Sequence, residues 1–327
     1  MKNYVHLFDS FLKYLDNYVL ASADNLPKEL YEPEVYMLSL GGKRLRPLLT
    51  LIGCDLFDKD PELALDSALS TELFHNFSLV HDDILDAAPL RRSNPTVHKK
   101  WNTNIAILSG DMMLVKAFRA LENYEPLTFK KLAQVFNQTA LLVCEGQQLD
   151  MNFEQLDRVS VEDYLHMITC KTAVLLGCCL QLGAITAGAS EEDQLHLHEF
   201  GKHLGIAFQL MDDLLDAFAE DPKKFGKQPG GDILANKKTY LLLKALETAS
   251  PKQEQEIGRL LNPGHPDEHK VASMLALYQQ LGVKKHCLEE ADRHTQLAIS
   301  FLNRSGANTT KKEMLISFAQ ELLNRQV

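Results

Sequence analysis

Apolar residues recur three and four apart from one end of the chain to the other. Val5, Phe8, Leu12, Leu15 and Val19 form one such stripe. This spacing gathers side chains on one face of an α-helix and predicts an amphipathic helix near the N-terminus. Leu69, Leu73, Phe77 and Val80 repeat the pattern directly before an acidic cluster, and Leu132, Val135, Phe136, Thr139 and Leu142 repeat it again. No sustained apolar–polar alternation and no Asn-Gly or Asp-Gly turn interrupts the helical period, so strands are not expected. Breakers fall between the periodic segments, among them Pro27, Gly41–Gly42, Pro89, Pro126 and Pro251, where helices end. No long linker, low-complexity tract or shift in composition divides the chain. The pattern predicts an all-α fold, one domain over residues 1–327, with roughly ten or more helices bundled together.

Composition supports this reading and narrows the function. Of 327 residues, 45% are hydrophobic and 24% charged, enough to bury a sizeable core and to exclude a disordered chain. Gly (17) and Pro (12) are scarce for the length, as a helical chain requires. The net charge of −10 argues against nucleic acid as a partner. It leaves room for a local basic pocket that binds a small anion. Six cysteines occur without a CxxC pair, which is neither a disulfide framework nor a zinc pattern. They read as small buried hydrophobes in a reducing cytoplasm. The N-terminus is charged throughout and lacks the apolar core of a signal peptide. The most apolar stretch, Leu175 to Ala189, carries Gln181 and Thr186. It falls short of the ~20 residues that span a bilayer, so a buried core helix is expected and no transmembrane segment.

Two acidic clusters carry the chemistry. Asp82, Asp83 and Asp86 form DDxxD, and Asp212, Asp213 and Asp216 repeat it 130 residues later, within LVHDDILDA and LMDDLLDAF. Positions i and i+4 share a helix face, and like charges there destabilise a helix by a few tenths of a kcal/mol. An exposed helix end would tolerate one such cluster. Two in apolar surroundings point to a cation, facing one another across a bundle. Mg²⁺ suits oxygen ligands and is usually shared with substrate phosphates. Cations are placed to match. Lys43, Arg44 and Arg46 follow a Gly-Gly turn, Arg91–Arg92 follow the first cluster, Lys171–Thr172 open an apolar segment, and Lys227, Lys237 and Lys238 follow the second cluster. Each alone reads as a surface charge; together they describe a site for diphosphate. No Ser-His-Asp or Cys-His arrangement is evident.

The blocks GGKRLRP, HNFSLVHDDILD, RRSNPTVH, EGQQLD, KTA, FQLMDDLLD and GKQPGGDILANKKT occur in this order between residues 41 and 239. Together they resemble the trans-isoprenyl diphosphate synthases, the polyprenyl synthetase family. The resemblance implies an all-α bundle around a deep central cavity, usually a homodimer, that condenses isopentenyl diphosphate with allylic diphosphates. Asp82, Asp83, Asp86, Asp212, Asp213 and Asp216 would hold several Mg²⁺ ions on the allylic diphosphate. Arg91, Lys171, Lys227 and Lys237 would grip that same diphosphate. Lys43, Arg46, His75 and Arg92 would hold isopentenyl diphosphate, and Thr172, Gln209 and Gln147 would lie near the allylic carbon and the second motif. Phe77 and Ser78, five and four residues before Asp82, would shape the floor of the tail pocket. One large and one small residue there implies C15–C20 products, geranylgeranyl slightly ahead of farnesyl, with Phe74 able to shorten the pocket. Ser93 and Asn102 stand where the family often has glycine. The alternatives are a terpene cyclase, which lacks the second aspartate motif and GGKRLRP, and a non-catalytic regulatory subunit, which typically loses one aspartate motif.

Overall fold

The computed structural model describes residues 2–218, 230–262 and 267–323. Helices dominate throughout: α1 (Val5–Ala23), α2 (Lys28–Ser39), α3 (Leu45–Asp55), α4 (Leu65–Leu85), a two-residue hairpin of β1 (Leu90–Arg91) and β2 (Asn94–Pro95), then α5 (Val97–Lys100), α6 (Thr103–Leu121), α7 (Pro126–Gln155), α8 (Val161–Ile168), α9 (Val174–Thr186) and α10 (Glu191–Phe218). The remainder comprises α11 (Gly231–Leu234), α12 (Tyr240–Thr248), α13 (Pro251–Leu261), α14 (Asp267–Gln280), α15 (Val283–Arg304) and α16 (Thr309–Leu323). The all-α expectation holds. The chain packs as two compact units, each drawn from three stretches.

The first unit comprises Met1–Gln138, Cys178–His198 and Ser305–Lys312. Its axis is α4, which packs mainly on α6 and α3. Every residue from Ser67 to Phe74 is buried, so this stretch is covered on all sides rather than along one stripe. Some of its polar groups find partners inside, the Ser67 N–H donating to the Tyr124 hydroxyl at 3.0 Å, whereas the Ser70 Oγ is buried with no hydrogen-bond partner. The C-terminal part of α9 meets α3 backbone to backbone. A Cβ on Gly183 would lie 2.0 Å from the Thr50 carbonyl oxygen, and one on Gly53 would lie 2.3 Å from that of Leu180, so only glycine permits this approach.

The second unit comprises Thr139–Gly177, Glu199–Arg304 and Glu313–Val327. Here α8 runs into α9 through a single π turn, Thr169–Ala173. The continuous helix Val161–Thr186 is therefore 26 residues long. The stretch expected to be too short for a bilayer thus belongs to a helix with the length and apolarity to cross one, because the apolar run extends back through the π turn. Its most apolar window is 83% buried inside the protein, which agrees with the core helix expected. Of the six cysteines, Cys144 on α7 is exposed and the other five are buried.

Candidate active site

In the first unit, the Gly41–Gly42 turn leads into α3 with both residues at positive φ, 73° and 130°. The cations that follow take different roles. Arg44 turns inward, donating to the buried Glu72 carboxylate and to the Leu38 carbonyl. Lys43 is exposed. Arg46 Nη1 lies 3.1 Å from His75 Nε2. A guanidinium only donates, so Nε2 accepts and the ring proton sits on Nδ1. Burial first, then Arg46, Arg92, Arg91 and Arg44, hold the His75 pKa well below its ordinary value, so the ring is neutral at pH 7. The Arg46 Nε is buried without a hydrogen-bond partner. Arg92 reaches the same neighbourhood, donating to the Gly41 carbonyl.

Arg92 is delivered by the hairpin that the sequence pattern did not predict. Its tip, Arg92–Ser93, takes φ of 51° and 64°, the left-handed geometry that matches strand twist in two-residue hairpins. Ser93 therefore occupies a conformation that costs a non-glycine residue about 1–2 kcal/mol. Asn102 is different: its backbone is extended and its side chain accepts from the Ile105 N–H, capping α6. The Tyr36 hydroxyl donates to Pro95 O at 2.7 Å and ties the hairpin to α2.

Helical spacing sorts the lower half of α4 into faces. His75, Ser78, Asp82 and Asp86 share one, with the Ser78 hydroxyl donating to His75 O at 2.9 Å. Phe74, Phe77 and His81 lie beside it on another. Glu72, Asn76 and Asp83 are buried on a third. Asp83 is engaged by Arg91, whose Nη2 and Nε donate to Oδ1 at 2.6 and 3.1 Å. Asp86 caps the helix, its N–H donating to Asp82 O at 2.8 Å.

In the second unit, the π turn carries Lys171 and Thr172. Lys171 Nζ donates to Asp150 Oδ2 at 2.5 Å. The turn presses on α7, where a Cβ on Gly146 would lie 2.2 Å from the Lys171 nitrogen. Nearby in the sequence of α7, the Gln147 Oε1 is buried with no donor. On α10, Asp213 is buried and accepts from the Tyr164 hydroxyl at 2.5 Å, Gln209 Nε2 at 3.3 Å and the Tyr240 N–H at 3.2 Å. Burial pushes its carboxyl up to about 7. Asp212 is half-buried. Asp216 accepts from the Asp232 N–H at 3.0 Å, tying the second acidic motif to the GGD segment. Lys237 pairs with Asp232 at 3.6 Å, whereas Lys238 turns in to cap the Phe153 and Leu156 carbonyls. Lys227 lies outside the described residues.

Within the described residues, no three acidic, imidazole or thiol side chains converge tightly enough to hold a metal ion by themselves. Oxygen-only donors one turn apart, as at Asp82 and Asp86, fit a hard cation that completes its shell with water and phosphate. Asp83, Asp213 and Asp216 all accept from protein donors: Arg91, Tyr164 with the Tyr240 N–H, and the Asp232 N–H respectively. The profile of the family described as Polyprenyl synthetase matches residues 27–278. The chain belongs to the polyprenyl synthetase family. It is 35% identical over 308 residues to a short chain isoprenyl diphosphate synthase of Methanothermobacter thermautotrophicus, covering 93% of each chain. It is 33% identical to the geranylgeranyl diphosphate synthase of Sulfolobus acidocaldarius, covering 96% of this chain and 99% of that one. A crystal structure of a geranylgeranyl pyrophosphate synthase superposes with a TM-score of 0.94 at 44% identity, over 100% of both chains. The chain is a trans-prenyltransferase.

Three partners of these candidate residues escaped the sequence pattern. Glu72 sits in an apolar helix three residues before His75, and a single acid inside the stretch LSTELF was the available signal. Asp150 lies inside the EGQQLD block, where only Gln147 drew attention. Tyr164 precedes KTA by two turns and carries no signal of its own.

Proposed function

We propose that this prenyltransferase is Mg²⁺-dependent and condenses isopentenyl diphosphate head-to-tail with allylic diphosphates to give C15–C20 trans products, geranylgeranyl slightly ahead of farnesyl. The observation that carries the reading is the face of α4 that aligns His75 with Asp82, about 10 Å apart along the axis at 1.5 Å per residue. Cations gather around one end of that face and carboxylates sit at the other. Arg46, neutral His75, Arg92 and Lys43 bind the diphosphate of isopentenyl diphosphate. His75 accepts from Arg46 and so aims that guanidinium without adding a charge. Asp82, Asp83, Asp86, Asp212, Asp213 and Asp216 are the carboxylates for Mg²⁺, with Asp83 also orienting Arg91 and Asp213 also orienting the Thr239–Tyr240 segment. Bound Mg²⁺ supplies neutralising charge to the departing allylic diphosphate. Arg91, Lys171, Lys227 and Lys237 stabilise the same developing anion, and such preorganised charge usually dominates catalysis. The double bond of isopentenyl diphosphate attacks the allylic carbon, and a proton then leaves to the diphosphate product, so no protein nucleophile is required. Gln147, Thr172 and Gln209 border the reacting carbon, apolar surroundings exclude water from the cation, and Phe77 with Ser78 limits the tail.

A homodimer in the cytoplasm belongs to the same reading. Ile107, Leu108 and Val115 are exposed on one face of α6 at 40, 60 and 65%, an apolar surface that a second copy would cover. The deciding assay incubates the purified protein with Mg²⁺, isopentenyl diphosphate and allylic diphosphates of increasing length, and sizes the products by chromatography. Chelation should abolish turnover. Asp82→Ala and Asp212→Ala should each lower it on the order of a thousandfold; near-normal rates in both would refute the site assignment.

A further inference from the structure

Phe77 is not fixed by its own burial, since it is only half-buried. It is held between two rings on its own face of α4. On one side is Phe74, with ring centroids 5.6 Å apart. Phe74 is itself 1% exposed and packed edge-on against Phe136 at 5.3 Å. On the other side is His81, 4.8 Å from the Phe77 centroid at an interplanar angle of 64°. The Phe74 side belongs to a rigid aromatic core, because Phe136 is buttressed in turn by Phe118 at 4.9 Å. The His81 side is held in another way, and its rigidity has another source.

That rigidity comes from α6. His81 Nε2 lies 3.2 Å from the Ile107 carbonyl oxygen. The carbonyl can only accept, so Nε2 carries the proton and donates. Asp111 Oδ1 stands 3.8 Å from the same nitrogen, on the side where a donated proton is favourable. Gly110 closes the cradle: a Cβ there would lie 2.3 Å from Nε2 and 2.5 Å from Cδ2 of His81. The ring therefore occupies space that no other residue at position 110 would leave open. A carbonyl, a carboxylate and a missing side chain all fix an imidazole that lies off the face shared by His75 and Asp82.

Resting on the reading of Phe77 as the floor of the tail pocket, we propose that His81 is a positioning residue for product length: held by Ile107 O and the Gly110 cradle, it clamps the Phe77 ring in the rotamer that blocks further elongation. An aromatic side chain on a helix has two accessible χ1 wells. An edge-to-face contact of this kind biases such a choice by roughly twofold to tenfold. Without His81 the Phe77 ring populates its second well, and a fraction of growing chains passes the floor and takes a further isoprene unit.

The experiment compares the full-length protein with His81→Ala, Phe77→Ala and the double variant, reading the ratio of products longer than the wild-type limit to those at the limit, at matched conversion. Gly110→Ala displaces the His81 ring by a second route and serves if His81→Ala does not fold. Expected are a twofold to tenfold rise in the ratio for His81→Ala or Gly110→Ala, a larger rise for Phe77→Ala, and a double variant that matches Phe77→Ala. A merely structural loss would lower turnover or the thermal midpoint and leave the ratio alone. If Phe77→Ala lengthens the product while both His81→Ala and Gly110→Ala leave it unchanged, the positioning role is wrong and the floor stands. A double variant that exceeds Phe77→Ala by the full His81→Ala factor also overturns it, since His81 would then act apart from Phe77. If Phe77→Ala itself changes nothing, the reading of the floor has failed.

Discussion

His203 on α10 and His294 on α15 bring their Nδ1 atoms within 2.8 Å of each other. The neighbours dictate which ring donates. Arg293 Nη2 lies 2.9 Å from His294 Nε2 and can only donate, so that Nε2 accepts and His294 Nδ1–H donates to His203. The His203 Nε2–H then faces Glu199 Oε2 at 3.9 Å. Glu290, 3.4 Å from His294, and Lys202, paired with Glu199 at 2.6 Å, complete the charged surroundings, while Phe301 stacks on His203 at 5.7 Å. A second proton on either ring breaks a link. Burial, then Arg293 and His203, lower the His294 pKa from 6.5 to about 4, and burial also lowers that of His203. With the folded values depressed, the unfolded chain binds more protons below 6.5. The contribution is therefore fully present above pH 6.5 and is lost as pH falls towards 4. The thermal midpoint should drop over this window more steeply in the wild type than in His294→Gln; parallel curves would show that the pair carries no such linkage. The Arg44–Glu72 pair makes a second prediction. Both side chains are within 3% of full burial, and removing one partner of a buried pair costs about 3–5 kcal/mol. Arg44→Ala should therefore lower the denaturation free energy by that order, against well under half as much for exposed Lys43→Ala. Residue identity drew attention to Lys43, Arg44 and Arg46, but not to their partners: a sequence does not reveal that one of three neighbouring cations turns inward, because that depends on where Glu72 arrives from α4.

Among the elements, the periodic helices were legible because their apolar spacing is a local property. The irregular pieces were not. The hairpin is closed by Arg92–Ser93, with left-handed backbone and none of the glycine that usually announces such a turn. The π turn at Thr169–Ala173 leaves the apolar pattern intact and only shifts its phase, so KTA read as the start of a helix when it lies inside one. Extra-residue turns of this kind often mark functional positions, and this one presents Lys171 to Asp150. The glycines carry a similar lesson, since their chemistry is identical and their surroundings are not. Gly183 of α9 has the Thr50 carbonyl 2.0 Å from where its Cβ would be, whereas Gly258 of α13 has nothing within 4 Å. Gly183→Ala should force α3 and α9 apart and cost about 1–3 kcal/mol or more. Gly258→Ala should stabilise its helix by about 0.5–1 kcal/mol. Urea midpoints that move in the same direction for both would contradict the close approach of the two backbones.

At the scale of the whole chain, no linker was visible because four of the five boundaries between the two units, Gln138/Thr139, Gly177/Cys178, His198/Glu199 and Lys312/Glu313, fall inside α7, α9, α10 and α16, and the fifth, Arg304/Ser305, falls at the end of α15. A helix that continues through a boundary has no change of period or composition to betray it. The division nonetheless has a functional corollary. The cation cluster assigned to isopentenyl diphosphate, Arg46 with His75 and Arg92, belongs wholly to the first unit, whereas Lys171 and its partner Asp150 belong to the second. If each diphosphate has its own cations, losing one should weaken one substrate selectively. A lost charge-assisted hydrogen bond costs about 1.5–3 kcal/mol, or roughly ten- to a hundredfold in affinity. Arg46→Ala should therefore raise the KM for isopentenyl diphosphate by about that factor and the KM for the allylic substrate far less. Lys171→Ala should do the reverse. Because Lys171→Ala also leaves Asp150 without its partner, the double variant with Asp150→Asn separates the two effects: the allylic KM should stay high in the double variant if the lysine itself binds diphosphate, and recover if an unpaired carboxylate was repelling it. Equal rises in both constants for both single variants would mean that the two diphosphates draw on one common set of cations.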